Sequence, residues 1–399
     1  MELINLEAPI KYGDYKNKPL FFAETKNQND ALYPIYKKMK GSLFFGLNGF
    51  GVKKFSLIKA YFISLFFIHR LFKEYKNATD FQKYSFKYGL NKYLLTYGYY
   101  IECISLLKKL KPNVVIVAND HLLETRGLVK AANDLNISTI YLQHASVSEN
   151  FPSLNFTYAF LDGFDSLKKY NAIDRKTKTN VFLTGFAKFD ENLNFINKSV
   201  KLKSIGICVS TLDKYENIEY LIKNLSQDFK QLKIILRPHP GDKRKIMKIV
   251  QDVNNDNLTF SDSKTEDSFM FLQKTDAVIV GESNILLEAA MLNVYPIYYE
   301  ISKYKKHDAY SFLQNGLVDK YYQNYNDLKK MILSLIKSKP SVRHKAKYYY
   351  NTIDTPYDGQ SSDLIKELLS DIIKNGNPNL TRWQKVDGVE LTVYQIARD

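Results

Sequence analysis

Residues 112–121 read Pro112-Asn113-Val114-Val115-Ile116-Val117-Ala118-Asn119-Asp120-His121. A short β-branched run with no polar alternation is the mark of a parallel strand buried on both faces. The polar trio Asn119-Asp120-His121 then ends the strand. The same texture recurs along the chain. Strands are expected at 137–142, 158–161, 181–184, 204–209, 233–236, 258–260, 277–280 and 295–298. Helical periodicity falls between them, at 124–135, 218–229, 243–253, 268–273 and 285–292, with closing helices at 325–338 and 363–374. Strands alternating with helices imply βαβ units and parallel sheets.

Working outward, 399 residues exceed one small domain and fit two. The expected division is an N-terminal domain at 1–190, a polar lysine-rich linker at 191–203, a second α/β domain at 204–374 and a tail at 375–399. Residues 1–50 read as irregular chain. Residues 55–110 read as helix, since apolar residues recur at spacings of three and four without a proline. The stretch 51–110 holds eleven Lys or Arg against three acids, with fifteen Phe or Tyr interleaved.

Composition excludes whole classes. Apolar residues are 45% and charged residues 25%, which rules out disorder, collagen-like repeats and a multi-span membrane protein. The net charge is +15, which favours an anionic partner: nucleic acid, anionic headgroups, or acidic or phosphorylated substrates. No nucleic-acid-binding motif accompanies it, and the lysines are spread over many helices, so nucleic acid is not the expected partner. The two cysteines, Cys103 and Cys208, sit in apolar runs and read as small buried hydrophobes in a reducing compartment. Residues 1–10 show no secretory pattern. The most apolar stretch, 60–68, is nine residues, and a bilayer core needs about 20 in a helix. A cytoplasmic protein is expected, resting if anything on the inner membrane surface.

In open parallel sheets, ligands bind beyond the carboxyl ends of the strands. Five such ends are polar here. They carry Asn119-Asp120-His121, Gln143-His144-Ala145-Ser146, Asp162-Gly163, Arg237-Pro238-His239-Pro240-Gly241-Asp242 and Gly281-Glu282-Ser283-Asn284. In the fourth, two prolines stiffen the backbone and present Arg237 and His239; His239 can donate to a phosphate, and Arg237 can pair with one or hold the loop. In the fifth, Gly281 permits a sharp turn, Ser283 suits the start of the following helix, and Glu288 lies one turn in, near a ribose or base. Base candidates for activating a hydroxyl are His144, Asp162 and Asp120, with either Asp also able to orient a His. No Gly-Lys-Ser/Thr loop and no GxGxxG occurs, so P-loop and dinucleotide readings fall. No DxD motif or His cluster marks a metal site, and no cofactor is expected.

These residues resemble bacterial glycosyltransferases of surface polysaccharide synthesis with the GT-B fold. The kin are sialyltransferases and polysialyltransferases, Kdo transferases, and CDP-glycerol glycerophosphotransferases. The resemblance spans about residues 112–370. It rests on Gln143-His144, the segment 181–190 with Gly185 and Asp190, the pair His239-Pro240, and the segment 283–290. It implies two Rossmann-like domains facing across a cleft, with His239 and Ser283 on the phosphate of CMP. The families' acidic-acidic-Gly motif reads Leu161-Asp162-Gly163 here, and their His-Gly pair reads His144-Ala145. The implied activity is metal-independent transfer from a nucleotide sugar, foremost a CMP-linked ulosonic acid. The acceptor is a glycan or lipid-linked glycan. Lys53, Lys54 and Lys59 are expected on the acceptor or membrane side. Glycerol phosphate transfer from CDP-glycerol and UDP-sugar chemistry, 2-epimerisation included, are the alternatives.

Overall fold

The computed structural model describes residues 12–46, 57–147, 151–173, 177–302, 308 and 310–397. The chain forms two compact units, residues 1–190 with 355–399, and residues 191–354.

The first unit begins with β1 (Leu20–Ala23), α1 (Lys26–Lys38) and β2 (Leu43–Gly46). Three helices follow: α2 (Leu57–Leu65), α3 (Ile68–Asn77) and α4 (Asp80–Leu110). Then come β3 (Val114–Val117), α5 (Leu123–Asp134), β4 (Ser138–Leu142), β5 (Tyr158–Leu161), α6 (Phe164–Ile173) and β6 (Asn180–Leu183). The expectation of irregular chain over 1–50 is therefore corrected for the described part. The β1 and β2 strands are four residues each and wholly buried, too short to show a period. Their pairing decides them: β1 lies between β2 and β3, parallel to both.

The second unit runs β7 (Ser204–Val209), α7 (Tyr215–Asp228), β8 (Lys233–Pro238), α8 (Met247–Val253), β9 (Leu258–Phe260) and α9 (Ser268–Leu272). It continues with β10 (Ala277–Val280), α10 (Ile285–Met291), β11 (Tyr295–Tyr299), β12 (Tyr321–Tyr322) and α11 (Tyr325–Lys337). Its sheet is all parallel, in the order β12-β11-β10-β7-β8-β9. The segment 191–203 is not a loose tether. Asn197 is buried in this unit and donates to the Thr275 carbonyl at 2.9 Å and to Asp276 Oδ1 at 3.0 Å.

The chain then returns to the first unit with α12 (Ser361–Asn375), β13 (Trp383–Lys385) and β14 (Thr392–Ile396). The first sheet thus has the order β13-β14-β6-β5-β4-β3-β1-β2, parallel except for β13 against β14. This corrects the boundaries at 374 and 375. The physical reason is a carboxylate and an aromatic seam. Asp190 accepts from the Ser361 and Ser362 amides at 2.9 and 2.7 Å, capping the positive end of α12. Phe182 of β6 packs on Trp383 and Tyr394, with ring centroids 4.8 and 5.0 Å away.

One helix contact has a sharp sequence requirement. The N–H of Gly98 in α4 donates to Ser64 Oγ of α2 at 2.9 Å. A Cβ on Gly98 would stand 2.0 Å from the Ala60 carbonyl oxygen. Backbone cannot yield as a side-chain tip does, so Gly98→Ala forces α2 off α4. A loss of about 3 kcal/mol is expected in chemical denaturation. Wild-type stability in that variant would show the contact to be compliant.

Candidate functional site

The first unit gathers its polar strand ends at one edge. Asp120 is buried after β3, and its Oδ2 accepts from the Tyr170 hydroxyl of α6 at 2.5 Å. Its Oδ1 lies 2.8 Å from His121 Nδ1. A carboxylate only accepts, so Nδ1 carries the proton, and in the neutral ring Nε2 is the accepting nitrogen, with Asn119 Nδ2 at 3.4 Å. Asn119 shapes this turn: its Oδ1 accepts from the His121 and Leu122 amides at 2.9 and 2.6 Å. The Phe151 ring lies 5.0 Å from the imidazole. Burial and the Asp120 charge keep the Tyr141 hydroxyl well above its ordinary pKa, so it stays protonated. Its oxygen lies 3.3 Å from the Tyr170 hydroxyl, whose single proton goes to Asp120, so Tyr141 is the donor of this pair.

His144 and Asp162 occupy the ends of β4 and β5. Burial pushes His144 down to about 4, against the opposing pull of the Asp120 carboxylate. Its Nδ1 is buried without a hydrogen-bond partner among the described residues. Burial pushes Asp162 up to about 7. Gln143 ties the two loops: its Nε2 lies 2.8 Å from Asp162 Oδ2 and Ser166 Oγ, and 2.9 Å from the Ala145 carbonyl. A neutral His144 at pH 7 is a weaker base than its ordinary imidazole. Asp162 lies near the range a general base or acid needs.

A cavity of about 830 Å³ opens beside this edge, lined in part by Arg70, Lys92, Tyr97, Tyr100, His121 and Arg126. Arg126 and Lys92 have no acidic partner in an ion pair among the described residues, so the wall is net positive. His121 is the group that ranking the sequence missed. Its signal was present in Asn119-Asp120-His121, but nothing local tells which of two adjacent titratable residues orients the other. Glu24, at the end of β1, was missed with its strand. It is buried, accepts from Thr125 Oγ1 at 3.1 Å, and is pushed up to about 8 by burial and by the Glu124 charge.

These two raised carboxyls bear on stability. In the unfolded chain they ionise near their ordinary values, whereas in the native state they hold protons to about 7 and 8. Their stabilising effect is complete at acid pH and is lost as pH rises through those native values. Between pH 5 and 9 the parent should lose on the order of 7 kcal/mol more than a Glu24→Gln, Asp162→Asn variant, about 1.4 kcal/mol for each pH unit below the native value of each carboxyl. Parallel stability curves for the two proteins would contradict this.

In the second unit, the ends of β8 and β10 carry the candidates. Arg237 is corrected from the donor side. It is buried, with Nη1 donating to Ser261 Oγ at 2.9 Å and Nη2 to the Glu266 carbonyl at 2.8 Å, and its guanidinium lies 5.3 Å from the Phe271 centroid. It holds the loop. His239 is exposed, and its Nδ1 accepts from the Gly241 amide at 3.0 Å. The proton therefore sits on Nε2, which can donate outward. Pro240 keeps the turn stiff beside it. Asp242 pairs with Arg244, whose Nη2 also donates to the Ser210 carbonyl at 2.8 Å, tying this loop to the end of β7.

Gly281 is buried, and Glu282, Ser283 and Asn284 are half-buried. Asn284, not Ser283, stands at the cap of α10, and Ser283 Oγ is 3.4 Å from the Ile285 amide. Glu288 is half-buried on the first turns of α10, and its charge reaches the buried Cys208 thiol. Lys53 and Lys54 lie outside the described residues. Lys59 is exposed, with its Nζ 4.0 Å from the Glu102 carboxylate. Among the described residues, no group of three or more His, Cys, Asp or Glu is placed to hold a metal ion. Cys103 and Cys208 are buried free thiols.

No family model matches the chain. No curated protein matches it by sequence. Solved structures do match in fold. A proposed UDP-N-acetylglucosamine 2-epimerase from Listeria monocytogenes is similar with a TM-score of 0.57 at 12% identity, over 89% of this chain and 96% of that one. UDP-GlcNAc 2-epimerase from Neisseria meningitidis, bound to UDP-GlcNAc, gives 0.55 at 13%, over 90% and 100%. S. aureus MnaA with UDP gives 0.52 at 13%, over 90% and 97%. The chain has the GT-B type of fold, built from two Rossmann-like parallel-sheet units.

Proposed function

We propose that this protein is a nucleotide-sugar enzyme, and foremost a glycosyltransferase of bacterial surface glycan synthesis. The observation that carries the reading is one histidine at a strand end of each unit, each by itself held in a defined hydrogen-bonding state. His239 presents a protonated Nε2, suited to a donor phosphate. His121 presents an unprotonated Nε2, suited to an acceptor hydroxyl, with Asp120 behind it. In this reading the acceptor oxygen bonds to the anomeric carbon as its proton passes to His121 Nε2. The bond to the nucleotide oxygen breaks, and the nucleotide leaves with the electron pair. His239 stabilises the charge that develops on the departing phosphate. Asp162 and His144 line the edge beside the acceptor, and the basic cavity favours a glycan bearing phosphate or carboxylate.

Uridine-linked donors take first place, because two of the fold neighbours hold UDP or UDP-GlcNAc. A CMP-linked ulosonic acid and CDP-glycerol are the rival donors. The second reading is 2-epimerisation of a UDP-sugar, favoured by the similarity to the Listeria and Neisseria 2-epimerases. A thermal-shift panel of UDP, UMP, CMP, CDP and GDP separates the donors. A ligand at about 100 times its dissociation constant adds roughly 2.7 kcal/mol. Incubating the preferred nucleotide sugar without acceptor separates the activities: an isomerised sugar nucleotide marks the epimerase. No shift with any nucleotide would sink both readings.

A further inference from the structure

The helices α2 and α3 expose apolar faces of a kind that folding alone does not explain. In α2, Ala60 and Ser64 point inward onto α4 at Gly98. On the other side, Ile58, Phe62 and Leu65 recur at one-turn spacing and are 73%, 64% and 58% exposed. Phe66, in the turn that follows, is 80% exposed. In α3 none of the residues is buried, and Ile68, Phe72 and Tyr75 form a second exposed stripe at spacings of four and three. Scattered single apolar residues on a surface are ordinary; two adjoining helical stripes are a binding surface.

Cations flank the stripes. Arg70, Lys73 and Lys76 interleave with them along α3, and Lys83 and Lys87 follow on α4 beside the exposed rings of Tyr84 and Tyr88. Arg70, Lys73 and Lys76 have no acidic partner in an ion pair among the described residues. A second copy of this chain docked on the same face would set these cations against their like. An anionic bilayer surface complements them, takes up the apolar stripes, and lets the lysine stems run along the acyl boundary. No helix among the described residues is long and apolar enough to cross a membrane. The contact therefore lies in the plane of the surface.

We infer that α2 and α3 form an interfacial docking surface for an anionic lipid bilayer, entered by Phe62, Phe66 and Phe72 and steered by Lys73 and Lys76. The inference is independent of the reaction. It also moves the membrane side from Lys59 to α3, since Lys59 lies on α2 beside the buried Glu102 carboxylate.

Co-sedimentation with phosphatidylcholine vesicles, with and without phosphatidylglycerol, tests it. The parent should bind the anionic vesicles at low salt, weaken as salt rises, and bind the neutral ones poorly. Two variants are compared: Phe62→Ser, Phe66→Ser, Phe72→Ser, and separately Lys73→Glu, Lys76→Glu. Each should lower binding to the anionic vesicles at least about tenfold. All five positions are exposed or at turns, so thermal unfolding and the nucleotide-induced shift should match the parent. Equal vesicle binding by parent and both variants overturns the inference. So does a concentration-dependent dimer that the Phe variant abolishes while no form binds vesicles.

Discussion

Replacing His239 by alanine should cut transfer by about 10²–10³-fold while the protein still folds. The imidazole lies in an exposed loop, and the hydrogen bond it forms is to the Gly241 amide, at 3.0 Å and itself open to water. No core packing is lost, so the melting temperature should stay within a few degrees of the parent. The effect belongs to the phosphate: with the Nε2 donor gone, the charge on the leaving group is met by one hydrogen bond fewer. Nucleotide binding should weaken along with turnover. A variant that melts early places His239 in the fold, and one that keeps full activity removes it from the site. Arg237→Lys makes the contrast. It strips the fork that reaches both Ser261 and Glu266, so its effect should appear as lost stability rather than as lost nucleotide affinity alone.

The second large effect is expected at His121. His121→Ala should lower kcat by about 10² or more, the usual scale for losing a general base. Donor binding should hold, because the donor residues belong to the second unit. Asp120→Asn should lower kcat less, since the isostere keeps a side chain beside Tyr170 but no longer fixes the His121 proton on Nδ1. KM for the donor should change little in either. His144→Ala and Asp162→Asn complete the set. If one of them carries the large kcat loss while His121→Ala stays within a few-fold of the parent, the base is misassigned and the strand ends of β4 and β5 supply it.

The elements themselves were legible, and for one reason. A strand buried on both faces has to be a continuous apolar run, so Val114-Val115-Ile116-Val117 and Ala277-Val278-Ile279-Val280 declare themselves without any partner. The polar residues that end these runs were legible too, because a parallel sheet opens its ligand edge at the carboxyl ends. Leu20-Phe21-Phe22-Ala23 was not: four residues between turns hold no period, and only the neighbours on either side make them a strand. Cys103 and Cys208 stood out as buried from their apolar surroundings alone.

Tertiary structure decided which of the candidates can act. Arg237 and His239 are two residues apart, and by sequence both face a ligand. Ser261 and Glu266, from the loop after β9, turn the guanidinium inward and leave the imidazole outside. Asp120 and His121 are adjacent, yet their order of roles is set by Tyr170, fifty positions away, which claims one carboxylate oxygen and leaves the other to hold the imidazole proton. The C-terminal helix follows the second unit in sequence and belongs to the first in space, because Asp190 caps it and Phe182 receives its hairpin. Local pattern determines an element through the burial its own residues require. A tautomer, the direction a charged group faces or a domain's true end depends on partners that only the folded chain brings within hydrogen-bond reach.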